Sequence, residues 1–411
     1  MTPSSAEPPL HLHIGLGKLG LGFVVPFFKD SSLQFLGAVK TDTKEARPHH
    51  DVHDVIKRGG ALLLALDGGR RLQAPTPNLL PYDPKRTKRT LIDALPRPPQ
   101  VVSCSVGVAK LPAIYKILYS LIVKHRAHYR KHPLVFLPFE NKADAGTIAA
   151  EHILARGLPP TVVSDCLAPA NVVVDRICSR IEVIPEPDPG VCIVHTESYQ
   201  HCCLTFPSGT NERVEPILRA LGIANHYVDK KQFDEEVRRK YWCVNALQYA
   251  VTVIAIKNGL NFSNRINDAI QLNEVQDRIA SLREELAIAM YTYLQERGHR
   301  PSFRNIEQQL RHTWERIGKS RQDKLDRIAE GLEFVMEDLP MFLRHHAPLG
   351  TIASFGDFFT KWRERILEPS EVLLDNAGRF RRPLYLPKLN HYLLRLLANA
   401  LTTLSPASPR P

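Results

Sequence analysis

Apolar and polar positions divide the chain into a first part with short buried strands and a later part with long helices. In the first part, runs typical of strands alternate with helical patterns, at residues 10–14, 21–28, 33–39, 101–107, 112–126 and 134–138. Strands that alternate with helices favour a parallel, doubly wound sheet. From Glu212 to Glu296 the pattern is helical, and strand patterns do not return before the C-terminus.

A glycine-rich turn follows the first predicted strand. Gly15, Gly17 and Gly20 form the pattern G-x-G-x-x-G between this strand and a helix. In such turns the first glycine permits the turn, the second lets the backbone approach a pyrophosphate, and the third lets helix and strand pack closely. The helix N-terminus also attracts the phosphates. The pattern predicts a dinucleotide-binding domain, although a purely structural glycine turn has the same spacing.

The predicted fold is therefore α/β, with a Rossmann-like doubly wound sheet domain followed by a mainly α-helical domain. Composition shifts after Phe206-Pro207, so we place the dinucleotide-binding domain at 10–205 and the helical substrate domain at 206–400. Ligands of open α/β sheets bind in a crevice at the carboxyl ends of the strands. The strand-like run at 61–66 predicts an antiparallel excursion from the sheet.

The end of the second strand bears on the choice between NAD and NADP. An acid near this point commonly holds the ribose hydroxyls of the adenosine. Ala38 stands where the acid is expected and Lys40 follows, which suits a 2′-phosphate. Asp42 could still reach the ribose, so NAD and NADP both stay open.

Composition excludes several classes of protein. No run approaches the roughly 20 apolar residues of a membrane helix, and the N-terminus lacks the pattern of a secretory signal. The seven cysteines are odd in number and form no C-x-x-C pair. This argues against a disulfide framework or a zinc site and favours a cytoplasmic location with no membrane partner.

The net charge of +11 allows either nucleic acid or a phosphorylated small molecule as partner. The lysines and arginines are spread along the chain rather than concentrated in one arm with interleaved aromatic residues. We therefore expect a small phosphorylated partner and no nucleic acid. Arg316 and Lys319 belong to a basic run that suits a substrate phosphate, but a solvated helix face is the simpler interpretation.

Two later stretches, residues 171–177 and 239–249, combine polar side chains with apolar neighbours. On an α-helix with about 100° per residue, Lys240, Asn245 and Gln248 fall within roughly 140° of arc. They can therefore line one wall of a cleft. A lysine at the start of an apolar helix is also commonly a surface residue, and an asparagine there is commonly a satisfied interface group.

Taken together, these motifs resemble the polyol-specific long-chain dehydrogenases, in particular those that act on mannitol 1-phosphate. Residues 13–24 are similar to the family's H-F-G-x-G-x-x-G-R-G-F-I, and 171–177 to its N-x-x-V-D-R-I. The family's R-K-L-F-x-V-N-x-x-H is matched at Arg239, Lys240, Val244 and Asn245. The resemblance runs from about residue 11 to 330, in order and with similar spacing.

The resemblance implies that Lys240 is the general acid/base and that Asn171 and Asn245 donate hydrogen bonds to the reacting oxygen. A lysine can take up a hydroxyl proton near neutral pH if its pKa is lowered, and amides can stabilise developing charge. Gln248 completes the expected catalytic set. A nicotinamide would supply the hydride chemistry, and no metal is needed.

The expected NAD or NADP contacts come from the glycine turn, the end of the second strand and the later strand ends: Gly15, Gly17, Lys18, Leu19, Gly20, Lys40, Val106, Glu140 and Asn141. Three departures from the family pattern stand beside the missing ribose acid. Gln248 replaces a histidine, and Lys18 and Leu21 replace an asparagine and an arginine.

The favoured function is NAD(P)-dependent interconversion of a polyol, of the mannitol 1-phosphate type, and a ketose, by a monomer or a homodimer. Gln248 favours the first alternative, a dehydrogenase of the same fold that acts on a different hydroxy acid or polyol. The altered glycine turn favours the second, a nucleotide-binding relative without turnover. The sequence leaves the sugar's stereochemistry, the cofactor's 2′-phosphate and the oligomeric state open.

Overall fold

The computed structural model describes residues 8–40, 50–82, 90–185, 187, 189–207, 212–260, 264–298, 300–319 and 325. The chain forms two compact units, Met1–Val237 and Arg238–Pro411. The boundary predicted at residues 205 and 206 stays a prediction about domains. The part of the helical domain predicted beyond 325 lies outside the described residues.

Twelve strands are assigned in the described part of the first unit. In chain order they are β1 Leu10–Ile14, β2 Gln34–Lys40, β3 Ala61–Leu66, β4 Arg71–Ala74, β5 Asn78–Tyr82, β6 Val101–Cys104, β7 Leu134–Pro138, β8 Leu167–Pro169, β9 Asn171–Asp175, β10 Cys178–Ile184, β11 Val191–Thr196 and β12 His201–Thr205.

The described helices of the first unit are α1 Val25–Phe27, α2 His50–Lys57, α3 Leu91–Ala94, α4 Leu111–Lys124, α5 Arg126–Lys131, α6 Ala145–Leu154, α7 Pro160–Cys166, α8 Glu215–Ala220 and α9 Lys230–Arg238, which ends one residue into the second unit. Those of the second unit are α10 Ala246–Lys257, α11 Ile266–Ile270, α12 Asn273–Glu296 and α13 Phe303–Lys319. Two π-helices, Gly20–Val24 and Arg239–Asn245, precede α1 and α10. None of the described helices is long and apolar enough to cross a membrane.

The main sheet confirms the predicted Rossmann-like fold. Its order is β5-β2-β1-β6-β7-β8, and all its described pairs are parallel. When these six strands are numbered along the chain, the order is 3-2-1-4-5-6, which defines the doubly wound dinucleotide fold. The strand expected at 101–107 ends at Cys104, and the chain turns at Gly107, which has a φ of 88°.

Apolar layers cover both faces of the main sheet. On one face, Leu12 and Phe136 pack with helices α4 to α7. On the other face, Val101 and Val135 pack with Phe23 and Phe28 of the helical segment after the glycine turn. Burial on both faces explains why a strand such as β7 is a continuous apolar run. The helix expected at 21–28 is present as a π-helical turn followed by α1.

The excursion predicted at 61–66 is β3, and it pairs antiparallel with β4 as expected. The structure adds a feature that the sequence pattern did not indicate. β3 also pairs parallel with β11, so it joins a second sheet with the order β10-β11-β3-β4. β9 and β12 form a third, two-stranded antiparallel sheet.

The described part of the second unit is helical. In α13 the buried positions Ile306, Leu310, Thr313 and Ile317 recur at spacings of three and four residues, so one face of this helix packs inward. Arg316 lies on that buried side, with 4% of its surface exposed. The simpler interpretation of Arg316 as part of a solvated helix face is therefore wrong.

Candidate functional site

The glycine turn lies where the strand order of the main sheet reverses. β1 pairs with β2 on one side and with β6 on the other, and the loops after β1 and β6 meet at this point. A Cβ atom on Gly15 would lie 2.5 Å from the carbonyl oxygen of Ser105, and Gly15 has a φ of 111°. Crevices at such switch points are the ligand sites of open α/β sheets.

The second and third glycines of the turn differ in what surrounds them. A Cβ atom on Gly20 would lie 2.2 Å from the carbonyl oxygen of Gly15, so the fold itself requires glycine there. A Cβ atom on Gly17 meets no described heavy atom within 4 Å. Gly17 also lacks the positive φ of Gly15. Glycine at position 17 therefore leaves open space beside the backbone without being needed for packing.

Glu140 fixes the loop on the other side of the switch point. Its carboxylate accepts hydrogen bonds from the backbone N–H of Val106, at 2.5 Å, and of Gly107, at 3.0 Å. The side chain is 6% exposed. Burial raises the pKa of Glu140 to about 7, although the two backbone bonds and the charge of Lys110 act in the opposite direction.

The remaining residues expected to contact the cofactor lie in or near these loops. Lys18, Leu19 and Val106 are half-buried, and Asn141 is exposed. Lys40 is the last residue of β2 and pairs with Tyr82 of β5. Asp42 lies outside the described residues. The roles of all these residues stay predictions.

A buried polar chain under the glycine turn was missed by the sequence analysis. His11 and His13 of β1 are fully buried, and both rings contact the hydroxyl of Ser103 in β6, at 2.7 and 2.8 Å. The other ring nitrogen of His13 contacts Ser105 Oγ at 3.1 Å. The signal was present in the sequence. His11 and His13 are two positions apart in β1, and Ser103 and Ser105 are two positions apart in and directly after β6. Side chains at every second position of a strand lie on the same face of the sheet.

Asn171 lies at the same edge of the sheet, two residues after the end of β8. Its amide group is held by Thr147 of α6: Oδ1 accepts from the backbone N–H of Thr147 at 3.0 Å, and Nδ2 donates to Thr147 Oγ1 at 2.9 Å. A primary amide has two N–H donors, so this contact fixes the orientation of the side chain and uses one of them.

Lys240, Asn245 and Gln248 lie in the second unit, on a helical segment with a different geometry from the one assumed. Residues 239–245 form a π-helix, in which the N–H of Ala246 bonds to the carbonyl of Tyr241 five residues earlier. Residues five apart are therefore stacked on one face. This brings Lys240 and Asn245 closer in arc than an α-helix would, and Gln248 follows one turn later in α10.

Lys240, Asn245 and Gln248 differ in how deeply they are buried. Lys240 is 6% exposed, and the described side chains around it on the helix are buried, including Val244, Leu247 and Val251. Asn245 and Gln248 are half-buried. Among the described side chains of this segment, the two amides are thus partly accessible, as is Arg239. Polar groups that project from an apolar surface are typical of the wall of a concave site. The described residues contain no group of three or more His, Cys, Asp or Glu that could hold a metal.

Comparisons with known proteins agree with the resemblance found in the sequence. No family model matches the chain. The mannitol-1-phosphate 5-dehydrogenases of Pyricularia oryzae strains Y34 and 70-15 are each 27% identical to it over 273 residues, 65% of this chain and 61% of theirs. The chain therefore spans about three fifths of the length of the curated relatives it matches.

Two solved structures are also similar over most of their length. Apo yersinopine dehydrogenase has a TM-score of 0.45 and 9% identity, and it covers 96% of this chain and 99% of its own. The NADP+-bound form of the same enzyme has a TM-score of 0.45 and 11% identity, with the same coverage. Similarity at this level carries no argument about fold or function.

The buried carboxyl group of Glu140 gives a prediction about pH. Its folded pKa of about 7 lies above the ordinary glutamate value of 4.5, so the folded state holds this proton more tightly. The stability it contributes is complete at low pH and is lost as the pH rises towards about 7. Relative to Glu140→Gln, the natural protein should lose on the order of 2 kcal/mol of unfolding free energy between about pH 5 and about pH 8.

The measurement is urea unfolding of both proteins across this range. Asp144→Asn is the matched control, because Asp144 is exposed and its ion pair with Lys142 lies at the surface. Parallel pH profiles of the natural protein and Glu140→Gln would contradict the assignment of a raised pKa to Glu140.

Proposed function

We propose that this chain is an NAD(P)-dependent oxidoreductase that interconverts a polyol and a ketose, with a phosphorylated polyol of the mannitol 1-phosphate type as the favoured substrate. The observation that carries the proposal is the glycine turn at the point where the strand order reverses. The similarity to mannitol-1-phosphate 5-dehydrogenases supports the substrate class.

The turn fits the pyrophosphate of a dinucleotide. Gly17 leaves the space beside the backbone open, and helical structure begins directly after it at Lys18. The backbone N–H groups and the dipole at such a helix start favour a diphosphate. The loop that Glu140 holds borders the same crevice. NAD and NADP both remain in the proposal: Ala38 and Lys40 at the end of the second strand suit a 2′-phosphate, and both dinucleotides carry the pyrophosphate that the turn fits.

In this proposal Lys240 holds the proton that moves during the reaction. When the alcohol is oxidised, the neutral amine takes the hydroxyl proton, and when the ketone is reduced, the ammonium returns it to the oxygen. Burial of Lys240 supports this role, since its proton then passes between the amine and a bound substrate rather than to bulk water. A bound nicotinamide supplies the hydride acceptor or donor.

The amide groups orient the substrate and stabilise charge on its oxygen. Asn245 follows Lys240 on the same face of the π-helix, so both can address one oxygen atom. Asn171 has a free N–H position after its bond to Thr147, and its fixed orientation avoids reorganisation during the reaction. Gln248 binds a substrate hydroxyl, but it cannot change its charge near neutral pH as a histidine can.

Gln248 is the observation that favours a second candidate, a dehydrogenase of the same fold with a different polyol or hydroxy acid as substrate. A change from imidazole to amide at the wall of the site alters which hydroxyl pattern is bound. The assay that tests the proposal separates the two candidates.

The first test follows the absorbance of reduced nicotinamide with fructose 6-phosphate, using NADH and NADPH in turn. We expect oxidation of one of them with the phosphate ester and at least tenfold slower oxidation with unphosphorylated fructose. A panel of other ketoses and keto acids is assayed in parallel. Turnover with another ketose or keto acid, and none with fructose 6-phosphate, would favour the second candidate over the first. Binding of the dinucleotide without turnover of any substrate would contradict the proposal that the protein is an oxidoreductase.

The second test uses Gly17→Ala. The added methyl group meets no described protein atom, so the unfolding temperature should stay within about 2 °C of that of the natural protein. The same methyl group occupies the space where the pyrophosphate approaches, so the dissociation constant for NADH or NADPH should rise about tenfold or more. Fluorescence titration measures this constant. Unchanged affinity would contradict the proposal that the pyrophosphate binds at this turn.

The third test uses Lys240→Ala. Loss of the general acid/base should lower kcat by about 100-fold to 10,000-fold while dinucleotide affinity is kept. Lys231→Ala is the matched control, because Lys231 is an exposed lysine of the preceding helix α9. Turnover by Lys240→Ala at the natural rate would assign the proton to another group.

A further inference from the structure

The polar chain under the glycine turn has a single consistent direction of hydrogen bonding. Ser105 donates its hydroxyl proton to the carbonyl oxygen of Gly15 at 2.7 Å. Nε2 of His13 lies 3.1 Å from Ser105 Oγ and 3.3 Å from the same carbonyl oxygen. Because both neighbours offer lone pairs, Nε2 of His13 carries the proton and donates it.

This assignment fixes the direction of the remaining hydrogen bonds. A neutral His13 with its proton on Nε2 has a bare Nδ1, which accepts the hydroxyl proton of Ser103 at 2.8 Å. The oxygen of Ser103 then accepts from Nε2 of His11 at 2.7 Å. The remaining atom, Nδ1 of His11, has no hydrogen-bond partner among the described residues and carries no proton in this arrangement. At the buried end of this series of hydrogen bonds, an acceptor without a partner costs less free energy than a donor without one.

The surroundings keep both rings neutral. The ring of His11 lies 4.6 Å from that of Phe28 and 4.8 Å from that of Phe35, both in edge-to-face contact. Burial lowers the pKa of His13 to about 4, and it lowers the pKa of His11 well below its usual value, with His13 adding to the effect. Neutral rings have one donor and one acceptor each, as the chain requires.

The geometry points to His13 and Ser105 as positioning residues that hold the carbonyl of Gly15 inward, so that the N–H groups of the following turn face the dinucleotide. This inference rests on the proposed binding of NAD or NADP. The hydrogen bonds run from His11 to Ser103, His13 and Ser105, and they end on the carbonyl of Gly15, the first glycine of the turn.

A second observation supports the same role. The position of a Cβ atom on Gly20 is occupied by the Gly15 carbonyl oxygen at 2.2 Å, with His13 Nε2 at 3.0 Å and Ser105 Oγ at 3.1 Å. The third glycine of the motif is therefore required by this hydrogen-bonded cluster. Glycine at position 20 and the polar chain are two parts of one arrangement.

The first experiment measures the histidine tautomers in the cofactor-free protein at pH 7. Nitrogen-15 chemical shifts and long-range couplings, assigned by triple-resonance spectroscopy, distinguish the two neutral forms. We expect both His11 and His13 as neutral rings with the proton on Nε2. A proton on Nδ1 of His13, or a charged ring at either position, would overturn the chain. This result is independent of whether a dinucleotide binds.

The second experiment measures dinucleotide affinity by fluorescence titration, with thermal unfolding of the same samples. Ser105→Ala should weaken the binding of NADH or NADPH about five- to tenfold, and Ser105→Thr, which keeps the hydroxyl, should restore it to within about twofold. Ser120→Ala, on the exposed side of α4, is the matched control and should change neither quantity.

Equal affinity of Ser105→Ala and the natural protein would overturn the positioning role. So would a loss in Ser105→Ala that Ser105→Thr does not recover, provided that Ser105→Thr unfolds at the natural temperature. If the natural protein binds neither dinucleotide, the proposed function fails, whereas the tautomer measurement still decides whether the chain of hydrogen bonds exists.

Discussion

The close contact between the loops after β1 and β6 is the constraint on which the candidate nucleotide crevice depends. Gly15 turns the chain at a positive φ directly against the backbone of Ser105, and no side chain other than hydrogen fits there. The two loops are held from both sides, by the hydroxyl of Ser105 on the Gly15 carbonyl and by the carboxylate of Glu140 on the N–H groups of Val106 and Gly107. The edge of the sheet is therefore shaped before any ligand arrives.

This arrangement places polar groups where the fold would ordinarily bury apolar ones. Histidines on β1 and a serine on β6 stand between the sheet and an apolar layer formed by residues such as Phe23 and Phe28. Buried polar groups are costly unless they are hydrogen-bonded, and a satisfied network rigidifies its surroundings. A rigid turn suits a site that must present backbone N–H groups to a diphosphate.

In the second unit, the backbone geometry of a helix brings polar residues together. An apolar helix that is buried along most of its length leaves little room for a site. The π-helical turn at 239–245 adds a residue to the repeat and stacks Lys240 with Asn245 on one face. Such turns are rare and occur frequently at functional sites, which agrees with the proposed roles of these residues.

The sequence by itself determined the class of fold and the position of the glycine turn, because continuous apolar runs and glycine spacing act locally. Predicted strands at 10–14 and 134–138 are present with the expected bounds. The strand β5 was not predicted, because Pro81 interrupts its pattern of apolar residues. A proline is tolerated there since β5 lies at the edge of the sheet. Tertiary structure alone decided which glycine serves packing and which leaves open space, since that depends on residues up to 90 positions away. It also decided the neutral state of His13 and the π-helical stacking of Lys240, because burial and packing from neighbouring elements set both.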